Sequence, residues 1–133
     1  MFLIIDPQNG VAIYEQIVRQ IKFAVASQAV RPAELVPSVR ELARQLAINP
    51  NTVSRAYREL QSDGVLETVR GMGLAVTNAA PRRCRDDRKR ILRQRIRQVL
   101  AEAKQSQIDG DELRAMVDDE MERMEEKRRS GSA

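Results

Sequence analysis

From about Ala12 to Gln28 the apolar residues Ile13, Ile17, Ile21, Ala24 and Val25 recur at helical spacing, with Tyr14 and Val18 flanking the stripe. Arg19, Gln20 and Lys22 lie mainly off it, so the pattern predicts a first helix that forms the hydrophobic back wall of a domain. Val39, Leu42, Ala43 and Leu46 predict a second helix. Val53, Ala56, Tyr57 and Leu60 predict a third, whose opposite side carries Asn51, Ser54, Arg55 and Arg58 at about 100° per residue. Beyond Gly64 the composition turns strand-like: Val65–Val69 and Leu74–Thr77 flank an Arg70-Gly71-Met72-Gly73 turn, which predicts a β-hairpin. Helical spacing then returns twice. Leu92, Ile96, Val99, Leu100 and Ala103 form one seam, and Leu113, Val117, Met121 and Met124, joined by Met116, form another.

Local signals punctuate this pattern. Ser38 with Glu41 three residues on is a capping box, in which the hydroxyl takes a free backbone N–H and the carboxylate reaches back to the cap's own N–H. Asn49 followed by Pro50 is a second helix start, a side-chain cap and then a residue that needs no N–H. Ala47-Ile48-Asn49 makes the turn between the two helices, and Gly64 suits the left-handed position after the third. Phe2–Ile5 is β-prone and predicts an edge strand; Asp6, Pro7, Asn9 and Gly10 predict a turn, and Val30–Val36 a connecting loop. Asn78-Ala79-Ala80-Pro81 reads as a linker, and Asp109-Gly110-Asp111 as a break between the two late helices. Lys127–Ala133 reads as a frayed tail. The expected architecture is mostly α with a small β-hairpin. Residues 1–77 are expected to form a winged helix-turn-helix DNA-binding domain, 78–85 a linker and 86–129 a two-helix dimerisation domain. The two late helices, joined by a short loop, are expected as an antiparallel hairpin with a leftover apolar face, and a second copy of the chain is the simplest cover for it.

Composition narrows the chemistry. The chain has 133 residues, enough for one domain of ordinary size or a small domain with an appendage, and its apolar runs are far too short to span a bilayer. Phe2–Ile5 stops at Asp6 with no basic lead-in, so no signal peptide is expected. A single cysteine, Cys84, cannot form an internal disulfide, and a cytoplasmic setting is expected. There is no histidine, which closes the commonest acid–base, nucleophilic and metal-binding routes. No convergent catalytic set is visible, so neither enzymatic activity nor a cofactor or metal is expected. The net charge of +4 suggests a polyanionic partner, but its distribution weakens that inference. Residues 1–80 hold eight Lys/Arg against seven Asp/Glu, residues 81–104 ten against three, and residues 105–133 five against nine.

The ordered set IYEQI (Ile13–Ile17), PSVRELA (Pro37–Ala43), NPNTVSRAYREL (Asn49–Leu60), Asp63-Gly64 and Gly71-Met72-Gly73 resembles the DNA-binding domain of GntR-family bacterial transcriptional regulators. The match covers roughly residues 1–77, and the short two-helix tail resembles the YtrA subfamily. Glycines that the family usually carries after its first helix and after the loop proline are replaced near Ala29 and Ala33, and Val36 stands where leucine usually precedes the Pro-Ser pair.

The resemblance implies DNA contacts, each with a plainer alternative. Arg40, in the first turn of the second helix, is a phosphate or base contact or simply a surface arginine. Ser38 touches phosphate or only caps its helix. Asn51, Thr52, Ser54 and Arg55 open the third helix, the end that meets base edges in helix-turn-helix docking, or they form a solvated face. Asn suits adenine, and Arg suits guanine or phosphate. Arg58, a turn on, suits phosphate. Arg70 and Gly71 at the wing tip are implied at the minor groove, or they form a tight hairpin with an exposed arginine. Tyr57 belongs to the core. Cys84 sits in the expected linker and is expected to be inert, although arginine neighbours act to lower a thiol pKa. The basic run Arg82–Arg97 reads as a salt-bridged face opposite Asp118, Asp119, Glu122 and Glu125, with Arg82, Arg83 and Arg85 left as possible phosphate contacts.

The expected function is a sequence-specific transcriptional regulator, a repressor, binding an inverted-repeat double-stranded DNA operator as a homodimer through Leu92, Ile96, Val99, Leu100, Leu113, Val117, Met121 and Met124. The resemblance implies a transporter operon as its target. No membrane partner is expected, and an effector is not identified by the residues. The rivals are a non-specific architectural DNA-binding protein and a protein–protein adaptor built on a winged helix.

Overall fold

The computed structural model describes residues 3–131. In chain order it contains α1 (Ile13–Ala26), α2 (Val39–Leu46), α3 (Pro50–Ser62), β1 (Leu66–Val69), β2 (Gly73–Val76), α4 (Ala80–Gln105) and α5 (Gly110–Gly131). The chain divides into two units, one up to Arg90 and one from Ile91.

In the first unit, α1 and α2 both pack on α3. The predicted inward stripes meet there: Ile17, Ile21 and Val25 of α1, Leu42 and Ala43 of α2, and Val53, Ala56, Tyr57 and Leu60 of α3 are all buried. Strands β1 and β2 pair antiparallel, with Leu66 opposite Val76 and Val69 opposite Gly73. Leu66 and Val76 close the core from the wing side.

The connecting loop before α2 joins this wing. Leu35 bridges Ala75, the Ala33 N–H donates to the Val76 carbonyl at 2.8 Å, and the Val36 N–H donates to the Leu74 carbonyl at 2.9 Å. Two non-glycine residues there are left-handed, Gln28 (φ 64°) and Ala33 (φ 70°). The backbone thus keeps the bends that glycine would ease, and the first of them falls on Gln28 rather than Ala29.

Three expectations about element bounds change. Phe2 lies outside the described residues, and Leu3–Ile5 form no strand. No neighbouring strand accepts them; glutamine amides of α1 do instead. The Ile4 N–H donates to Gln20 Oε1 at 2.8 Å and the Asp6 N–H to Gln16 Oε1 at 2.9 Å. The buried Gln16 also donates to the Asp6 and Val11 carbonyls, pinning the turn cluster to α1. Residues 80–85 are not a linker but the first turns of α4. Pro81 acts as a helix starter there, because a first-turn residue needs no N–H. Ala80 and Cys84, one turn apart on the same face, are both buried in the core of the first unit. Lastly, α5 runs through Gly131, so the expected fray of Lys127–Ala133 is absent as far as the described residues extend.

Around the α4 start, Lys22 Nζ lies 2.8 Å from Asp63 Oδ2 and 3.6 Å from Asp87 Oδ2, tying α1, the end of α3 and α4 together. Arg83 Nη1 donates to the Asp63 carbonyl at 3.0 Å. It crowds Gly64, which is left-handed (φ +76°), so a side chain at that position would meet both strain and the guanidinium.

In the second unit, α4 and α5 are joined by an elbow. Gln107 is left-handed there, and Asp109 caps α5 by accepting the Glu112 N–H at 2.8 Å. Ala103, Ile108 and Leu113 are at least half-buried at this elbow. Both long helices of the expected fold are present, but they do not pack along each other as a closed hairpin. Leu92, Ile96, Val99, Leu100, Val117, Met121 and Met124 are between 46% and 72% exposed. The unpartnered apolar surface is therefore both seams rather than one leftover face. Nor is the expected salt-bridged face formed: the ion pairs run along each helix, as in Arg123–Asp119 at 3.3 Å and Arg90–Asp87 at 3.5 Å.

Candidate nucleic-acid interface

The site starts from two helix caps. Ser38 Oγ accepts the Glu41 N–H at 3.1 Å, and the Glu41 carboxylate bonds back to the Ser38 hydroxyl at 3.1 Å rather than to the cap's N–H. Ala47 turns left-handed (φ 54°) and ends α2. Asn49 Oδ1 then accepts the Asn51 N–H at 2.9 Å, with Pro50 at the first position of α3. These contacts set the point where α3 begins and the side it turns outward.

The structure brings the predicted contact residues into the first unit. Ser38 and Arg40 stand at the start of α2, Asn51, Thr52, Ser54, Arg55 and Arg58 on α3 opposite its buried stripe, and Arg70 and Gly71 at the wing tip. Arg40, Asn51, Arg58 and Arg70 are exposed, while Thr52 and Ser54 are half-buried at the helix flank. Among the described residues Arg40, Arg58 and Arg70 have no intramolecular partner. Their charge is free for an anion, and a guanidinium suits phosphate oxygens. Gly71 is left-handed (φ +79°), and nothing lies within 4 Å of the Cβ it lacks, so a backbone or phosphate can come close.

Arg55 differs from the other arginines. Its guanidinium carbon lies 3.8 Å from the centroid of the Tyr14 ring on α1. Sequence reading places Tyr14 only as a flank of the core stripe and misses this contact, since nothing local links residues in separate helices. Met72, 67% exposed beside Gly71, is a further wing-tip residue without an expected role.

Tyr57 belongs to the core as expected. Its hydroxyl donates to the Pro37 carbonyl at 2.7 Å, which ties α3 to the entry of α2. Burial first, and the Glu41 charge second, raise its pKa well above the ordinary phenol value, so it stays neutral. Cys84 is not in a charged linker but buried. Burial pushes its thiol up to about 11 from 9.0, against a smaller lowering by Lys22, so the expected downward pull of arginines does not win. Among the described residues no group of His, Cys, Asp and Glu is arranged to hold a metal ion, and no helix is long and apolar enough to cross a membrane.

A capped helix pair, a third helix packed behind it and a β-wing together define a winged helix-turn-helix protein. Residues 13–76 match the profile of the gntR family of bacterial regulatory proteins. The chain is 34% identical over 113 residues to the HTH-type transcriptional repressor YtrA of Bacillus subtilis (strain 168), covering 85% of this chain and 87% of that one. A transcriptional regulator from Oenococcus oeni has a similar structure, with TM-score 0.77 at 32% identity over 90% of this chain and 99% of that one. YtrA from Sulfolobus acidocaldarius, a GntR-family transcription factor, superposes with TM-score 0.58 at 32% identity over 76% of this chain and 99% of that one. The chain belongs to the GntR family of bacterial regulatory proteins and is a YtrA-like, DNA-binding transcriptional regulator.

Proposed function

We propose that this regulator is a repressor that binds an inverted-repeat operator as a homodimer. The observation that carries the reading is the outward side of α3, which begins at a doubly specified cap and presents Asn51, Ser54, Arg55 and Arg58. In helix-turn-helix docking the start of this helix meets base edges in the major groove. Ser38, Arg40, Arg58, Arg70 and Gly71 suit phosphate and wing contacts. The unpaired state of the three arginines among them supports that role. The residues up to position 80 are nearly neutral, so discrimination rests on contacts rather than on a broad basic field.

Dimerisation is supported by the exposed seams of α4 and α5, which no other part of the described chain covers. A two-fold axis would place two copies of α3 in major grooves about 34 Å apart. The name of the Bacillus relative supports repression. The resemblance extends the reading to a transporter operon.

The test is fluorescence anisotropy at fixed salt, with an operator selected from random DNA and a scrambled duplex of equal length. The expected preference is on the order of a thousandfold or more, the usual ratio of specific to non-specific binding. Equal affinity for the two duplexes would overturn sequence-specific recognition and favour an architectural protein. Absence of binding to either would leave only an adaptor role.

A further inference from the structure

Four arginines belong to the interface, and only one of them is held. Arg40, Arg58 and Arg70 have no partner within the described chain, whereas the Arg55 guanidinium lies on the ring of Tyr14 at 3.8 Å. Tyr14 is itself fixed: it packs half-buried against the core, and its hydroxyl donates to Glu15 Oε1 at 3.2 Å. Glu15 is in turn 3.9 Å from Arg19. The ring is thus anchored on α1, which packs on α3.

A guanidinium lying over a ring uses its π face for the contact and keeps its N–H groups in its own plane. Those N–H groups remain able to make the paired, planar hydrogen bonds by which arginine recognises guanine O6 and N7. A free arginine must give up rotamer freedom to reach the same geometry, and a stacked one has already lost part of it. Phosphate places a weaker demand on orientation, because its oxygens can be approached from many directions.

We infer that Tyr14 is a positioning residue for Arg55. It presets the plane of the guanidinium so that Arg55 reads a guanine edge, while the unheld Arg40, Arg58 and Arg70 contact phosphate. This rests on the DNA-recognition reading above and divides its arginines into one that discriminates and three that bind without discrimination.

The experiment compares wild type, Tyr14→Leu, Tyr14→Phe, Arg55→Ala and the Tyr14→Leu/Arg55→Ala double variant. Affinities for the selected operator and for scrambled duplex are measured over a salt series, and each variant is checked by thermal melting. Arg55→Ala should reduce the ratio of the two affinities roughly ten- to hundredfold, the scale of one good bidentate base contact. Tyr14→Leu should reduce it about two- to fivefold, the scale of an exposed cation–π contact, with scrambled-duplex affinity and salt slope unchanged. Tyr14→Phe, which keeps the ring face, should restore the ratio. The double variant should match Arg55→Ala alone. If Tyr14→Leu matches wild type while Arg55→Ala loses discrimination, the positioning role is overturned and Arg55 acts unaided. If the double variant falls well below Arg55→Ala, Tyr14 acts through packing or its own contact. A wild-type protein with no preference between the duplexes would instead sink the recognition reading itself.

Discussion

At the scale of single residues, the backbone keeps conformations that its side chains do not favour. Gln28 and Ala33 are left-handed (φ 64° and 70°), close to where the family resemblance implies glycine. Ala33 is held there because its N–H bonds to the Val76 carbonyl at 2.8 Å and its loop pairs with β2. A left-handed alanine costs about 1–2 kcal/mol, and glycine at that position recovers it less a smaller entropy loss in the unfolded chain. Ala33→Gly should therefore raise stability by about 0.5–1 kcal/mol in urea unfolding. A neutral or lower midpoint would show that the loop is not strained at that residue. Departures from the glycines that the resemblance implies were visible in the chain; which residue takes each bend was not, since Gln28 turns where Ala29 and Val30 bond back to the Ala24 carbonyl and Ala33 where its N–H meets β2.

At the scale of elements, the start of α4 is the least expected feature. Its first turns bury Ala80 and Cys84, and Lys22 bridges Asp63 and Asp87 across their approach. Burial lowers the affinity of the Lys22 ammonium for its proton. The hydrogen bond to Asp63 and the charges of Asp63 and Asp87 more than offset this, leaving its pKa above the ordinary 10.5. The Cys84 thiol is raised by burial to about 11 from 9.0. Both groups hold protons more tightly when folded, so their stabilisation is full below the unfolded pKa and is lost as pH rises through the folded one. The Cys84 contribution should leave urea midpoints unchanged up to about pH 8 and be lost between about pH 9 and 11, whereas the Lys22 contribution should be lost only above its ordinary 10.5. Cys84→Ala should flatten the part of the fall that begins near pH 9. Parallel curves for the two proteins would show that the thiol is not protected by the α4 start. The chain signalled a linker here because Pro81 and a charged run resemble one. Only the core partners of Ala80 and Cys84 decide for a helix.

At the scale of the whole molecule, α4 and α5 expose apolar seams that lack a partner within the chain. Ile96 and Met121 are 57% and 61% exposed, too much for isolated surface positions in two adjoining stripes. Sedimentation at micromolar concentration should give a dimer for wild type and a monomer for Ile96→Glu/Met121→Glu, because a buried unpaired carboxylate is expensive. Operator affinity should fall when dimerisation is lost, since the two half-sites are then bound separately. A monomeric wild type, or a dimer indifferent to both charges, would exclude the seams as the interface.

Periodicity and caps sufficed for the three helices and the hairpin of the winged unit and for the outward side of α3, though not for the unit's expected edge strand. These depend on near neighbours: the Ser38 and Asn49 caps, the stripe Val53–Ala56–Tyr57–Leu60, and the turn at Gly71. The tertiary structure alone decided three matters: that residues 80–85 are helix, that α4 and α5 leave their seams open, and that Arg55 lies on Tyr14. Each depends on residues distant in the chain meeting, or failing to meet, in space. Local hydrogen bonding and side-chain spacing carry no record of such meetings, so the contact that singles out Arg55 appears only once α1 is packed on α3.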